Sequence, residues 1–183
     1  MVKWLWLSAL VIALDQGTKY LASQLLALYQ SVEFIPLLKF TLLHNKGAAF
    51  SFLSSAGGWQ RWVFTLLALV VSIIIVAWLR RLSVQEKWQA TGLALILGGA
   101  LGNVIDRILH GYVVDFLDFY YPAEQCLPLF YQVHTSVAEC HWPAFNIADS
   151  AISIGVVVLI VDSLRSGIRH HAASKHQDSK ETQ

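Results

Sequence analysis

The chain has 183 residues, of which 56% are hydrophobic and 14% charged, with a formal net charge of +1 and a mean hydropathy of +0.53. An average soluble domain carries roughly 25% charged residues, so this composition describes a membrane protein whose length allows one bundle and little else. Its Lys and Arg are not gathered into a basic patch with interleaved aromatics, which argues against a nucleic-acid partner.

About 20 apolar helical residues cross the hydrocarbon layer, and four candidate spans follow along the chain. The first is apolar from Trp4 to Leu14, then carries "DQGTKY" before "LASQLLALY" resumes. A cleaved signal peptide would need a small-residue cleavage site after Leu14, which is missing. Asp15 and Lys19 are four apart, the spacing at which helical side chains pair. Next comes "SVEFIPLLKFTLLHN", where β-branched and aromatic residues partly alternate and Pro36 interrupts. It reads as short strands lying on the membrane surface over residues 32–44. "NKGAAFSF" then supplies Gly47 and small residues for a tight turn or close backbone approach.

Trp62–Leu79 and Gln89–Ile105 are uncharged spans, and Phe145–Leu164 is charged only at Asp149 and Asp162. Within the third, Gly98 and Gly102 have the spacing that lets helices approach closely. The tail "RSGIRHHAASKHQDSKETQ" lacks apolar periodicity and reads as a solvated, disordered end. Eight of the thirteen Lys and Arg lie before span one, between spans two and three, or after span four. The positive-inside rule therefore puts both termini in the cytoplasm and residues 30–61 and 106–144 outside. The expectation is an all-α polytopic membrane protein: one four-helix domain over residues 1–165, and a polar cytoplasmic tail over 166–183.

Ionisable groups in or beside spans are costly and usually face protein or a cavity. Asp15, Asp106, Arg107, Asp115 and Asp149 all belong to this group, and the topology gathers them on the outer side. Two converging carboxylates do not ionise together, so one holds a proton while the other remains a base. That arrangement suits amide hydrolysis, and Asp115 with Asp149 is the expected pair. Asp106 is expected to partner the adjacent Arg107, and Asp118 to be an exposed loop carboxylate. Ser54, Ser55, Ser150, Ser153 and His44 are available, but no serine sits in a Gly-x-Ser-x-Gly elbow. Cys126 and Cys140 lie in the outer loop, where a disulfide ranks ahead of two free thiols. A metal site with His134 and His141 is a distant third.

Five blocks stand in order between these spans: "DQGTKY" (15–20), "NKGAAF" (45–50), "GNVIDR" (102–107), "GYVVDF" (111–116) and "FNIADS" (145–150). With them the chain, from about Trp4 to Leu164, closely resembles the signal peptidase II family. The resemblance implies four transmembrane helices with a small outer β-cradle, no cofactor and no metal, in the bacterial inner membrane. It implies an aspartyl endopeptidase cleaving prolipoproteins before the diacylglyceryl-cysteine, sensitive to globomycin-type inhibitors and in contact with membrane lipids. It casts Asp115 and Asp149 as catalytic, and Asp15, Asn45, Asn103, Arg107 and Asn146 as dyad support or substrate contacts. Residues 117–144 depart from the family pattern, with an insertion carrying both cysteines. The competing class is a small ion or proton transporter relaying ions through membrane aspartates. Such a protein usually sets its acids near the midplane and shows repeated halves; this sequence shows neither.

Overall fold

The computed structural model describes residues 2–47, 57–134 and 138–181. The apolar runs become four helices: α1 (Leu5–Leu25, after a 3₁₀ turn at Val2–Trp4), α2 (Gln60–Arg81), α3 (Lys87–Leu109) and α4 (Ile147–Glu181). Ser8, Val11, Asp15, Lys19 and Ala22 are the buried residues of α1. Their spacing of three and four places them on one helix face, and that face packs against α3. The charged block of α1 is thus absorbed without a break in the helix, and Asp15 and Lys19 form the expected i,i+4 pair at 2.8 Å.

Among the described residues, three helices are long and apolar enough to cross a membrane: α2, α3 and Ile147–Ser166 of α4. Along α2 the exposed side chains include Trp62, Leu66, Ile73 and Trp78. Such an apolar outer surface is suited to lipid. Beyond Arg165 the chain, expected to be disordered, continues α4 in helical backbone to Glu181. From Ile168 to Glu181 there is neither Gly nor Pro to stop it.

α3 is the central helix, packed by α1, α2 and α4. Its small residues make this possible. A Cβ on Gly98 would lie 2.7 Å from the Val11 Cβ, and one on Gly102 would lie 2.6 Å from an Asp15 carboxylate oxygen. The small-residue spacing therefore seats α1.

The expectation of an all-α fold is corrected by a five-stranded antiparallel sheet. Its strands are β1 (Ser31–Ile35), β2 (Leu38–Asn45), β3 (Val113–Pro122), β4 (Tyr131–His134) and β5 (Ala138–His141), in the order β1-β2-β3-β5-β4. β1 and β2 fall within the stretch read as strands, turning at Pro36 and Leu37. The underestimate lies in β3, ten residues rich in Val, Phe and Tyr, and in the insertion, which folds back as the β4–β5 hairpin. β3 is long enough to serve two neighbours: Val113–Asp115 and Leu117–Phe119 pair with β2, and Tyr120–Pro122 with β5. Cys126 and Cys140 are joined by a disulfide that ties the β3–β4 connection to β5. Asp118, expected in an exposed loop, is buried on β3, accepting from Thr41 Oγ1 at 2.7 Å and facing His141 Nδ1 at 2.8 Å. Alternation along β3 explains this, since Asp118 points to the opposite face from Asp115 and Phe119.

Candidate active site

The site begins as a helix start. Asn146 precedes the first residue of α4, and Asp149 is the third residue of that helix. The Asn146 side-chain oxygen accepts from the Asp149 backbone N–H at 3.0 Å, while Asp149 Oδ2 accepts from the Asn146 backbone N–H at 3.3 Å. This is the reciprocal geometry of a capping box, here made by Asn and Asp. Local sequence "FNIADS" thereby holds the Asp149 carboxylate at the helix end. Asp15 secures the same end from across the bundle, its Oδ1 accepting from the Ala148 N–H at 2.9 Å.

Asp115 arrives from β3. Its Oδ1 accepts from Asn146 Nδ2 at 2.8 Å and its Oδ2 from Asn45 Nδ2 at 3.0 Å. Asn45 is delivered by the end of β2, and its own side-chain oxygen accepts from Gly47 N–H at 2.9 Å. Asn103, from α3, donates to Asp149 Oδ1 at 2.8 Å. Asn146 also donates to Asn103 Oδ1 at 3.2 Å. Three asparagines thus stitch two carboxylates from different elements into one network.

Burial first, and then the Asp149 charge, push the Asp115 carboxyl up to about 7, against its hydrogen bonds to Asn45 and Asn146 and the Lys19 cation. A carboxyl raised that far is equipped to carry a proton near neutral pH.

Both aspartates line a cavity of about 560 Å³ together with Asn45, Asn103 and Arg107, walled by Trp142–Phe145 and the Ser150–Ile154 turn of α4. Phe145 anchors that wall to the aspartate-bearing strand, exchanging backbone hydrogen bonds with Leu117. Arg107 donates to the Gly47 carbonyl at 3.2 Å.

Asp106 does not partner Arg107. It accepts from Lys19 at 3.0 Å, from Gln16 at 2.9 Å and from the Val114 N–H at 3.0 Å. Consecutive helical residues diverge by about 100°, so Asp106 and Arg107 leave α3 in different directions. All seven residues proposed for the dyad and its support fall in or beside this network, while Cys126 and Cys140 lie in the hairpin. Lys19, which sequence reasoning paired only with Asp15, and Gln16, to which it gave no role, also join it. The signal was present in the spacings Asp15/Lys19 and Asn103/Asp106, which put each pair on one helix face. Ala48–Phe50 of the second block, and Ser54 and Ser55, lie outside the described residues.

A largely apolar cavity carrying paired carboxylates at one end of an apolar bundle defines a membrane peptidase of the aspartic type. The particular family follows from comparison. Residues 7–165 match the model of Signal peptidase (SPase) II, and the chain belongs to that family. It is 51% identical over 166 residues to the lipoprotein signal peptidase of Alteromonas mediterranea, covering 91% of this chain and 82% of that one. Against the lipoprotein signal peptidase of Acinetobacter baumannii it is 53% identical over 160 residues, covering 87% and 82%. A bacterial membrane enzyme solved by the in meso method superposes with a TM-score of 0.73 at 29% identity, over 91% of this chain and 90% of its own.

Proposed function

We propose that Asp115 and Asp149 are the reacting pair with which this signal peptidase II removes signal peptides from prolipoproteins, cutting before the diacylglyceryl-cysteine. The observation that carries this reading is the convergence of both carboxylates on one cavity, with Asp115 raised to about 7. Asp115 enters the reaction protonated and Asp149 as the base. A water molecule gives a proton to Asp149 as its oxygen attacks the scissile carbonyl, while the Asp115 proton supports the developing oxyanion. Collapse of the tetrahedral intermediate breaks the C–N bond, and the leaving amine takes a proton from the pair. Asn45, Asn103 and Asn146 hold the two carboxylates in register, Asp15 secures the start of α4, and Arg107 lines the substrate's path.

α1 serves as a fourth span in this reading, its polar residues turned onto α3 rather than toward lipid. Both termini lie in the cytoplasm of a bacterium's inner membrane, which the distribution of Lys and Arg supports. The ends of α3 and α4 that carry the site then sit at the outer face. There an amide bond reaches the pair while its acyl chains stay in hydrocarbon, each buried CH₂ contributing about 0.8 kcal/mol. A globomycin-type inhibitor would compete for this cavity. The transporter reading lacks a midplane site.

Purified protein with a lipidated prolipoprotein tests the proposal. Cleavage is expected for the parent and for neither Asp115→Asn nor Asp149→Asn, and the unlipidated precursor should be cut poorly. Substantial turnover by either variant refutes the pair. Equal cleavage of both precursors refutes the role given to the acyl chains.

A further inference from the structure

We infer that Lys19 is a positioning residue of the cleavage reaction: it fixes the side-chain amide of Asn103, and Asn103 in turn fixes the Asp149 carboxylate. The inference rests on the assignment of Asp115 and Asp149 as the reacting pair.

Lys19 is 3% exposed. Its ammonium meets three oxygens: Asp15 Oδ2 at 2.8 Å, Asp106 Oδ2 at 3.0 Å and Asn103 Oδ1 at 2.9 Å. An ammonium has three N–H donors and no acceptor, so this arrangement uses all of them. The contact to Asn103 has a chemical consequence. The two ends of an asparagine amide are distinguished by their partners, and only the oxygen end can face a group that solely donates. The NH₂ end is thereby turned toward Asp149, where it donates to Oδ1 at 2.8 Å. Asn146 Nδ2, also donating to Asn103 Oδ1 at 3.2 Å, agrees with this orientation. A flipped amide would set its NH₂ against both the ammonium and Asn146, and leave its oxygen facing the Asp149 carboxylate. With Oδ1 held by Asn103 and Oδ2 by the Asn146 N–H, Asp149 has one orientation.

A structural role alone accounts poorly for this cluster. Desolvation can exceed the Coulombic gain of a buried ion pair, and well-packed apolar replacements are often neutral or stabilising. Here one cation faces two carboxylates, Asp15 on its own helix and Asp106 on α3. What an apolar replacement cannot reproduce is the polarity imposed on Asn103. That imposed polarity distinguishes Lys19 from Gln16, which donates to Asp15 and Asp106 but has no bond to the Asn103 side chain.

The test uses the full chain in detergent with a lipidated prolipoprotein. Lys19→Met alone leaves two buried carboxylates facing each other and risks unfolding, so the decisive variant is Lys19→Met combined with Asp106→Asn, which removes one charge of each sign. Its unfolding temperature should stay within a few degrees of the parent. Its kcat should fall about 100-fold, the scale of loss from small misplacement of a reacting group, with KM changed less than about threefold. On an Asn103→Ala background the same pair of substitutions should lower kcat by less than about threefold further, because the route through Asn103 is already cut. A folded double variant with kcat near the parent's overturns the inference. So does a loss lodged in KM, or a full additional loss on the Asn103→Ala background. Failure of the underlying pair reads differently, as turnover by Asp149→Asn itself.

Discussion

Replacing Asp115 by Asn should make the protein more stable at alkaline pH and less stable in acid, while abolishing cleavage. The native carboxyl titrates at about 7 against an ordinary 3.8, and each pKa unit corresponds to about 1.36 kcal/mol. Holding the ionised form in the fold therefore costs about 4 kcal/mol. The sign follows from proton counts. Between 3.8 and about 7 the native state binds a proton that the unfolded chain has released, so stability falls as pH rises through that window and then levels off. An Asn at 115 escapes this cost but has one acceptor oxygen where Asn45 and Asn146 present two donors. Leaving one buried donor unmet costs about 1–3 kcal/mol. The net is a variant about 2 kcal/mol more stable at pH 8, about 1.5 kcal/mol less stable near pH 4, and equal to the parent between about pH 5 and 6. Thermal unfolding in detergent, followed by tryptophan fluorescence, reads this as an increase of about 4–8 °C at pH 8. Parallel stability curves across pH 4–8 would refute the claim that burial holds the Asp115 proton.

The rate of cleavage, measured as kcat/KM, should fall on the alkaline side with an apparent pKa near 7 as Asp115 loses its proton; a flat profile from pH 6 to 9 contradicts the assigned acid. Cys126→Ser with Cys140→Ser opens a loop of 14 residues' separation and should lower stability by about 3 kcal/mol in the chain-entropy model. Because the hairpin leads directly into the cavity wall at Trp142–Phe145, KM should change more than kcat, and unchanged kinetics would remove the hairpin from substrate entry. Gly102→Ala places a methyl 2.6 Å from the Asp15 carboxylate oxygen. It should disturb the Asp15 bond to α4 and lower kcat at least tenfold, which single-turnover assays would detect.

Much of this molecule was legible in the sequence because membrane burial leaves coarse marks. Uncharged runs located α2, α3 and the apolar part of α4, and isolated charges marked the site. Asp15, Asp115 and Asp149 could be proposed from their charge in or beside predicted spans, whereas Asn45, Asn103 and Asn146 came only from the resemblance of their blocks to the signal peptidase II family. What the sequence hid was partner choice. Asp106 lies beside Arg107 in the chain, yet helix geometry turns it toward Lys19. Asp118 looked like a loop acid because its partners, Thr41 and His141, come from strands remote in sequence. β3 was missed for a related reason: "VVDFLDFYYP" follows a helix and precedes an insertion, and only pairing with both β2 and β5 explains its full length.

The hydrogen bond from the Ala148 N–H to Asp15 joins residues 133 apart in sequence. Its donor is in the first turn of the last helix, its acceptor in the first helix, and the Gly102 surface of α3 lies between them. Assembly order follows from this. A ribosome delivers α1 to the membrane long before α4, so an unfinished chain holds Asp15 and Asp115 but neither Asn146 nor Asp149. With Asp115 and Asp149 as the proposed reacting pair, hydrolytic competence arrives as a late, all-at-once event in biogenesis, when the final helix docks against the earliest one. A truncated translation product ending before residue 145 would be inserted, bundled in part and inert, with no half-built protease loose in the bilayer.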